Sequence, residues 1–128
     1  MADTIRLEVA AAPSVLPLVR MIIGGVGARL DFSLDELADV NLAVEELLCA
    51  AQGLGEGPRH GLDMQIGDDT LTVAAGPFRS PELRERLTSA ADGFGLSMVF
   101  ARVVQSVEIC GTDDDCYSVV FSKRRGAE

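Results

Sequence analysis

Basic residues are scarce in this chain. Its 128 residues include 11 lysines and arginines against 20 acids, a formal net charge of -9. A nucleic-acid-binding domain needs clustered Lys and Arg facing the phosphates, so this balance argues against direct contact with DNA or RNA. We interpret the one basic cluster, Lys123-Arg124-Arg125, as a solvated tail. An acidic surface instead suits a basic protein partner.

Cysteine, histidine and long apolar runs are also limited. The three cysteines have neither zinc spacing nor the even count of a disulfide framework, so a reducing cytosol is the default and we expect a cytoplasmic protein. The most apolar stretch, residues 9–28, is broken by Arg20, two prolines and three glycines, which argues against a membrane span and a signal peptide. The only histidine, His60, has no nearby Ser, Cys or acid placed for a triad, so we predict an exposed, inert side chain.

The remaining composition is that of a globular domain. Apolar residues make up 48% of the sequence, which excludes a disordered chain. The length supports one domain over residues 1–128. The hydrophobic periodicity predicts strands and helices in the order β-α-α-β-β-α-α-β-β. Because the strands come in adjacent pairs, this order favours an α+β two-layer sandwich, with a mixed, mainly antiparallel sheet and its helices on one face.

Start and stop signals place the individual elements. Ser33 and Glu36 have the spacing of a capping box, in which each side chain satisfies a backbone donor of the other residue. Ser14 is the expected N-cap of the first helix, and Gly76-Pro77-Phe78 indicates a turn. The predicted strands cover residues 5–9, 62–66, 70–73, 106–110 and 116–122, and the predicted helices cover 18–30, 36–52, 80–87 and 96–104.

The first predicted helix, residues 18–30, is apolar nearly all round. Such a helix must be covered on more than one side, either inside a monomer or at a homodimer interface. Gly24, Gly25 and Gly27 would each cost about 1 kcal/mol relative to Ala in a helix interior. We therefore expect them either to permit close approach of a neighbouring backbone, which we favour, or to end the helix early.

Two cysteines fall in the last predicted hairpin. If its apolar residues face the core, Cys110 and Cys116 share the opposite face. We expect them to be cross-strand neighbours, whose Cβ atoms lie about 4.5 to 5.5 Å apart. That spacing allows a redox-sensitive disulfide, although two reduced thiols are the default in the cytosol.

Three segments resemble, in order and spacing, the nucleotide-binding boxes of the RsbW-like anti-sigma-factor serine kinases, a branch of the GHKL ATPases. Residues 43–51, Ala-Val-Glu-Glu-Leu-Leu-Cys-Ala-Ala, resemble the family's N-box. Residues 71–78, Leu-Thr-Val-Ala-Ala-Gly-Pro-Phe, resemble the first glycine box, and residues 93–96, Gly-Phe-Gly-Leu, match the second. Residues 79–92 resemble a shortened nucleotide lid with an i,i+4 pair of Glu82 and Arg86. The resemblance implies the GHKL fold.

The resemblance also assigns site residues. It implies that Glu46 occupies the general-base position and that Gly76, Gly93, Gly95 and Leu96 belong to the nucleotide-binding boxes. Without it, Glu46 is a solvated acid on an amphipathic helix, and Gly93-Phe94-Gly95 is an ordinary turn into a helix.

Two residues that the resemblance implies as ligands of Mg-ATP are replaced by alanine. Ala50 stands where the family has the Asn that ligates magnesium, and a methyl group offers no oxygen to that cation. Ala74 stands where the family has the Asp that binds adenine. The sequence therefore predicts no metal site and no required cofactor, with weak Mg-ATP binding at most.

The resemblance implies a function through proteins rather than nucleic acid. We expect an anti-sigma factor with a decayed ATP site. The resemblance implies that it binds a sigma factor, often as a homodimer. A competing anti-anti-sigma protein of the STAS class would release the sigma factor. The alternative is an active serine kinase that phosphorylates the STAS protein, with Glu46 as its base. A third hypothesis is a docking protein of the same fold without a sigma target.

Overall fold

A five-stranded sheet forms one layer of the molecule. The computed structural model describes residues 3–89, 95–111 and 115–126. The strand order is β1-β2-β3-β5-β4, and every neighbouring pair is antiparallel, which confirms the predicted α+β class. The strands are β1 (Asp3–Ala10), β2 (Arg59–Ile66), β3 (Thr70–Phe78), β4 (Ser106–Gly111) and β5 (Tyr117–Arg124). The helices are α1 (Leu16–Arg29), α2 (Leu34–Gly53), α3 (Pro81–Thr88) and α4 (Leu96–Val103).

The core lies between the helices and one face of the sheet. Alternate residues of the three central strands are buried, because successive side chains of a strand point to opposite faces. Helices α2 and α4 contribute the other half of the core, and Phe100 of α4 packs edge-on against Phe121 of β5 with ring centroids 5.2 Å apart. The main core side chains are Val44, Leu47, Leu48, Leu62, Met64, Val73, Ala75, Phe100, Val119 and Phe121.

The start of α2 is the predicted capping box. Ser33 Oγ accepts from the Glu36 amide at 3.1 Å, and Glu36 Oε1 accepts from the Ser33 amide at 2.8 Å. The prediction for Ser14 is wrong, because Val15 is the N-cap of α1 and Ser14 lies inside a 3-10 turn, Pro13–Val15.

Within the described chain, helix α1 is covered on one side only, which does not fit a helix enclosed inside a monomer, and cover of its outer side by a second copy stays a prediction. Val19, Ile23 and Val26 are buried, whereas Leu18 and Met21 are 60% and 72% exposed. Neither α1 nor any other helix within the described ranges is both long and apolar enough to cross a bilayer.

The glycines of α1 differ in their surroundings. A Cβ at Gly27 would lie 2.8 Å from Leu37 Cδ1, so packing is close there, but against a side chain and not against a neighbouring backbone as predicted. A Cβ at Gly24 or Gly25 would have no atom of another element within 4 Å.

The Gly76-Pro77-Phe78 segment is not a turn. Strand β3 continues through it, with an irregularity in its pairing to β5 between Ala75 and Phe78. Gly76 has a φ of 146°, and a Cβ there would lie 3.1 Å from both Ser118 Oγ and the Tyr117 carbonyl oxygen. Glycine is therefore the residue that lets β3 pass close to β5.

Strand alternation also corrects two predictions about polar residues. His60 is 2% exposed rather than exposed, because it shares the inner face of β2 with Leu62 and Met64. Lys123 is 6% exposed on the inner face of β5, where its Nζ donates to Asp39 Oδ2 and to the Val103 carbonyl oxygen, both at 2.9 Å. Lys123 and Arg124 thus belong to β5 and Arg125 follows it, so the prediction of a solvated tail is wrong for the buried Lys123, whereas Arg124 and Arg125 are exposed.

The register of the last hairpin changes the cysteine prediction. Cys110 of β4 pairs with Ser118 of β5. The prediction that Cys110 and Cys116 lie directly opposite each other is therefore wrong, since Cys116 precedes β5. The connecting residues 112–114 lie outside the described residues.

We expect Ser33→Ala to lower the free energy of unfolding by about 1 kcal/mol, because it leaves an amide of the first turn of α2 without its cap. Urea denaturation followed by circular dichroism measures this. Ser14→Ala is the matched control, because that hydroxyl is exposed and caps neither helix, and its expected effect is below about 0.5 kcal/mol. Equal losses in the two variants would contradict the assignment of the cap.

Candidate functional site

A cleft of about 670 Å³ lies on the helical layer, between α2, α3 and α4. It is open to solvent and has both polar and apolar walls. Helix α2 supplies three of its residues, α3 with the residue that follows it supplies four, and the start of α4 supplies three. The described lining residues are Glu46, Cys49, Ala50, Glu82, Glu85, Arg86, Ser89, Gly95, Leu96 and Val99.

Helix α2 presents different residues to the core and to the cleft. Positions three and four residues apart share one face of a helix, so Glu46, Cys49 and Ala50 line the cleft together. Burial and then the neighbouring Glu46 and Glu45 carboxylates raise the pKa of the Cys49 thiol. The thiolate, the nucleophilic form of cysteine, is therefore disfavoured in the cleft.

Helix α3 forms the opposite wall. Ser80 Oγ accepts from the Leu83 amide at 3.1 Å and caps the helix, while Leu83 and Leu87 are buried. The expected Glu82 and Arg86 pair is present, with a nitrogen–oxygen distance of 3.2 Å. With Glu46 and Glu85, the described lining contains three carboxylates and one guanidinium.

Gly95 and Leu96 lie where the sequence predicts a turn into a helix. Gly95 is the N-cap of α4, and its carbonyl oxygen accepts from the Met98 amide at 3.0 Å. Leu96 begins the helix beside the cleft. A helix N-terminus carries a positive partial charge. Gly93, the remaining predicted glycine, lies outside the described residues.

Gly76 and Ala74 do not line the cleft. Ala74 is paired in register with Asp63 and Val120, on the face of the sheet that points away from the helices. Ala75 points to the helical side and is fully buried. The structure therefore brings Glu46, Ala50, Gly95 and Leu96 together and separates Gly76 and Ala74 from them.

Glu56, which the sequence analysis missed, positions the start of α3. Its carboxylate accepts from the Arg79 amide at 3.0 and 2.8 Å and from the Ser80 amide at 2.6 Å. Glu56 can reach these amides because Gly55 and Gly57, on either side, have φ values of 71° and 86°. An acid between two glycines after a long helix is the signal that indicates such a contact.

Tyr117 makes a second contact with the start of α3. Its hydroxyl donates to the Ser80 carbonyl oxygen at 2.6 Å, and the Arg84 guanidinium lies 5.7 Å from its ring centroid. Burial, with a smaller effect of the Glu56 carboxylate, raises the pKa of Tyr117 to about 12. The hydroxyl therefore keeps its proton and remains a donor. The α3 wall of the cleft is thus held by the loop after α2 and by β5.

His60 lies in an aromatic cluster behind this junction. Its ring centroid is 5.8 Å from that of Phe78, which in turn is 6.2 Å from that of Tyr117. Neither ring nitrogen has a hydrogen-bond partner among the described residues. Burial lowers the pKa of His60, and the Glu56 carboxylate opposes this in part.

No group of three or more His, Cys, Asp or Glu side chains is placed to hold a metal ion within the described ranges. The cleft carboxylates come from α2 and α3, and each helix presents them along one face.

A helix-covered antiparallel sheet with a cleft between its second and fourth helices is the architecture of a GHKL-type domain. A structure of the RsbU and RsbW domains of Rv1364c from Mycobacterium tuberculosis matches 95% of this chain with a TM-score of 0.67 and 16% identity. The match covers 32% of that longer chain. The fold is therefore the RsbW/GHKL-like fold.

Sequence comparison points to the same group. The serine-protein kinase RsbW of Bacillus subtilis (strain 168) is 36% identical over 45 residues, which are 35% of this chain and 28% of the relative. The chain thus matches less than a third of that relative's length. No protein-family model matches the sequence. In fold and in this part of its sequence, the chain is RsbW-like.

We expect acidification to destabilise the protein through His60. Because burial lowers its pKa, the unfolded chain takes up a proton near pH 6.5 more readily than the folded chain does. The free energy of unfolding should therefore decrease as the pH falls from above 6.5 towards the lower pKa of the folded state. Urea denaturation at several pH values measures this.

His60→Leu provides the control for this titration, because His60 is the only histidine. The wild-type protein should lose more stability than His60→Leu over the same pH interval, while carboxylates contribute equally to both. Parallel pH profiles for the two proteins would contradict the prediction.

Proposed function

We propose that this protein is a partner-switching regulator that binds a sigma factor, and that its nucleotide cleft no longer supports phosphoryl transfer. One observation supports the proposal that the cleft no longer supports phosphoryl transfer. Ala50 lines the cleft one helical turn after Glu46, at the position where the resemblance implies the magnesium ligand. A hard cation of this kind requires oxygen ligands, and the Ala50 methyl group supplies none.

The charge of the cleft supports the same conclusion. Its described lining places the carboxylates of Glu46, Glu82 and Glu85 around one space, with Arg86 already paired to Glu82. A bound triphosphate is polyanionic and would be repelled by these carboxylates. In phosphoryl transfer, magnesium and basic groups neutralise this charge. The residues present do not fit Mg-ATP.

The adenine end of the implied site is also incomplete. The structure places Ala74 on the outer face of the sheet and Ala75 on the inner face, and neither residue has a carboxylate. Neither position therefore supplies a charged acceptor for an exocyclic amine, and such a hydrogen bond, where the acceptor faces the ligand, contributes about 1.5 to 3 kcal/mol, or roughly ten- to a hundredfold in affinity.

The proposed partners follow from the RsbW-like character of the chain. Such relatives imply a sigma factor and a STAS-domain anti-anti-sigma protein. The formal charge of -9 suits a basic partner, since complementary charge increases the association rate. Under this proposal the protein acts on transcription without touching DNA, and it works in the cytoplasm, as a monomer or a homodimer.

Isothermal titration with Mg-ATP tests the decayed cleft. We expect no saturable binding at micromolar concentrations in the wild-type protein. Ala50→Asn restores an oxygen ligand beside Glu46 and should tighten Mg-dependent binding by about tenfold. Ala74→Asp is the matched control, because its carboxylate would lie on the outer face and should gain nothing.

Two results would contradict this proposal for the cleft. One is micromolar binding of Mg-ATP by the wild-type protein. The other is transfer of the γ-phosphate to a STAS-domain protein, which would establish the active-kinase alternative.

Kinetic binding measurements with purified sigma factors test the partner proposal. We expect saturable binding to at least one of them, with an association rate that falls severalfold as salt rises, because added ions screen the attraction. An unrelated basic protein of matched charge should not compete. Binding to none of the host's sigma factors, or an association rate independent of salt, would contradict the proposal.

A further inference from the structure

We propose that the N-terminal part of α1, residues 16–25, opens as a local unit while the rest of the domain stays folded. The inference concerns the helix itself and does not depend on the proposed function. It rests on three features: two glycines that packing does not require, an outer side without cover in the described chain, and additional contacts that hold the C-terminal end of the helix.

The two glycines weaken the helix without a packing reason. Gly24 and Gly25 lie inside α1, and an added Cβ at either position would have no atom of another element within 4 Å. Neither residue has a positive φ. Glycine at an interior helix position is less favourable than alanine because its backbone loses more freedom on folding. These residues therefore lower the stability of α1 and gain no contact in return.

The helix start is weak as well. Val15 is the N-cap of α1, no side chain among the described residues caps it, and no acid lies in its first turn. Helix α2, by contrast, has a complete capping box and two acids in its first turn. The start of α1 is thus held by the preceding 3-10 turn, in which the Leu16 amide donates to the Pro13 carbonyl oxygen, and not by side-chain caps.

The contact of this part of α1 with α2 includes an ion pair. Arg20 Nε donates to Glu45 Oε1 at 3.0 Å. Asn41 precedes Glu45 by one helical turn and Gln52 follows it by two, so all three share one stripe of α2. Asn41 Oδ1 and Gln52 Nε2 are buried without a partner among the described residues. Unsatisfied buried polar atoms on this stripe of α2 reduce the stability of the folded state.

The outer side of this part of α1 has no cover within the described chain. Leu18 and Met21 are largely exposed, so closure gains apolar burial on the inner side alone, fully through Val19 and Ile23 and in part through Leu16 and Ile22. Few buried apolar contacts are characteristic of segments that open at low free-energy cost.

The C-terminal end of α1 is held much more firmly. Gly27 packs closely against Leu37, Arg29 forms an ion pair with Asp3 of β1, and Arg125 Nη1 donates to the Leu30 carbonyl oxygen at 2.9 Å. Val26 and Leu30 are buried. The glycine pair thus separates an anchored end from a weakly held one, which places the hinge at Gly24 and Gly25.

Residue-resolved amide hydrogen exchange of the full chain tests this inference. In the wild-type protein, amides 20–25 should exchange at least tenfold faster than amides 26–30 and the core amides of α2. Gly24→Ala/Gly25→Ala should slow exchange at residues 20–25 by about tenfold or more, because both changes favour the helix and meet no neighbour.

Gly53→Ala is the matched control. Gly53 ends α2 and has the same open surroundings, so this variant should leave exchange at residues 20–25 unchanged. Two results would overturn the inference. Amides 20–25 could exchange as slowly as the core of α2, or the double alanine variant could slow the sheet and α2 by the same factor as α1. Either would mean that α1 opens only when the whole domain unfolds.

Discussion

The packing of α2 across the inner face of the sheet is the contact on which the rest of this structure depends. Val44, Leu47, Leu48 and Ala51 are fully buried there, and burial of each of the three larger side chains contributes about 1.5 to 3 kcal/mol. Because that face of α2 is buried in the core, the helical period places Glu46, Cys49 and Ala50 on the face that lines the cleft and Glu45 on the face that contacts α1. One helix thereby belongs to the core, the candidate site and the α1 contact.

The walls of the cleft differ in how they are held. Its α2 wall is part of the core, whereas its α3 wall is a short helix with two buried leucines. Polar contacts supply the remaining support. The Glu56 carboxylate accepts from the Ser80 amide, and the Tyr117 hydroxyl donates to the Ser80 carbonyl oxygen. Because both contacts are hydrogen bonds of defined geometry, they orient α3 as well as retain it. The shape of the cleft therefore depends on residues that do not line it.

Periodicity predicted the element types well because each element buries one face. The capping box at Ser33, the helix capped by Ser80 and the two hairpins all follow from local spacing. Errors arose where local composition was a poor guide. Gly76-Pro77 has the composition of a turn, yet β5 continues to pair beyond it. His60 and Lys123 are polar, yet each occupies an inward position of its strand, with an aromatic cluster around His60 and Asp39 beside Lys123.

The sequence by itself determined the order of strands and helices, the charge of the protein, and the alanines at positions 50 and 74. These depend on residue identity and on spacing within one element. Only the tertiary structure decided that Ala50 faces the cleft while Ala74 faces away from it, that Glu56 reaches the start of α3, and that α1 has an uncovered side. Each of these depends on contacts between residues distant in the chain, which local periodicity does not encode.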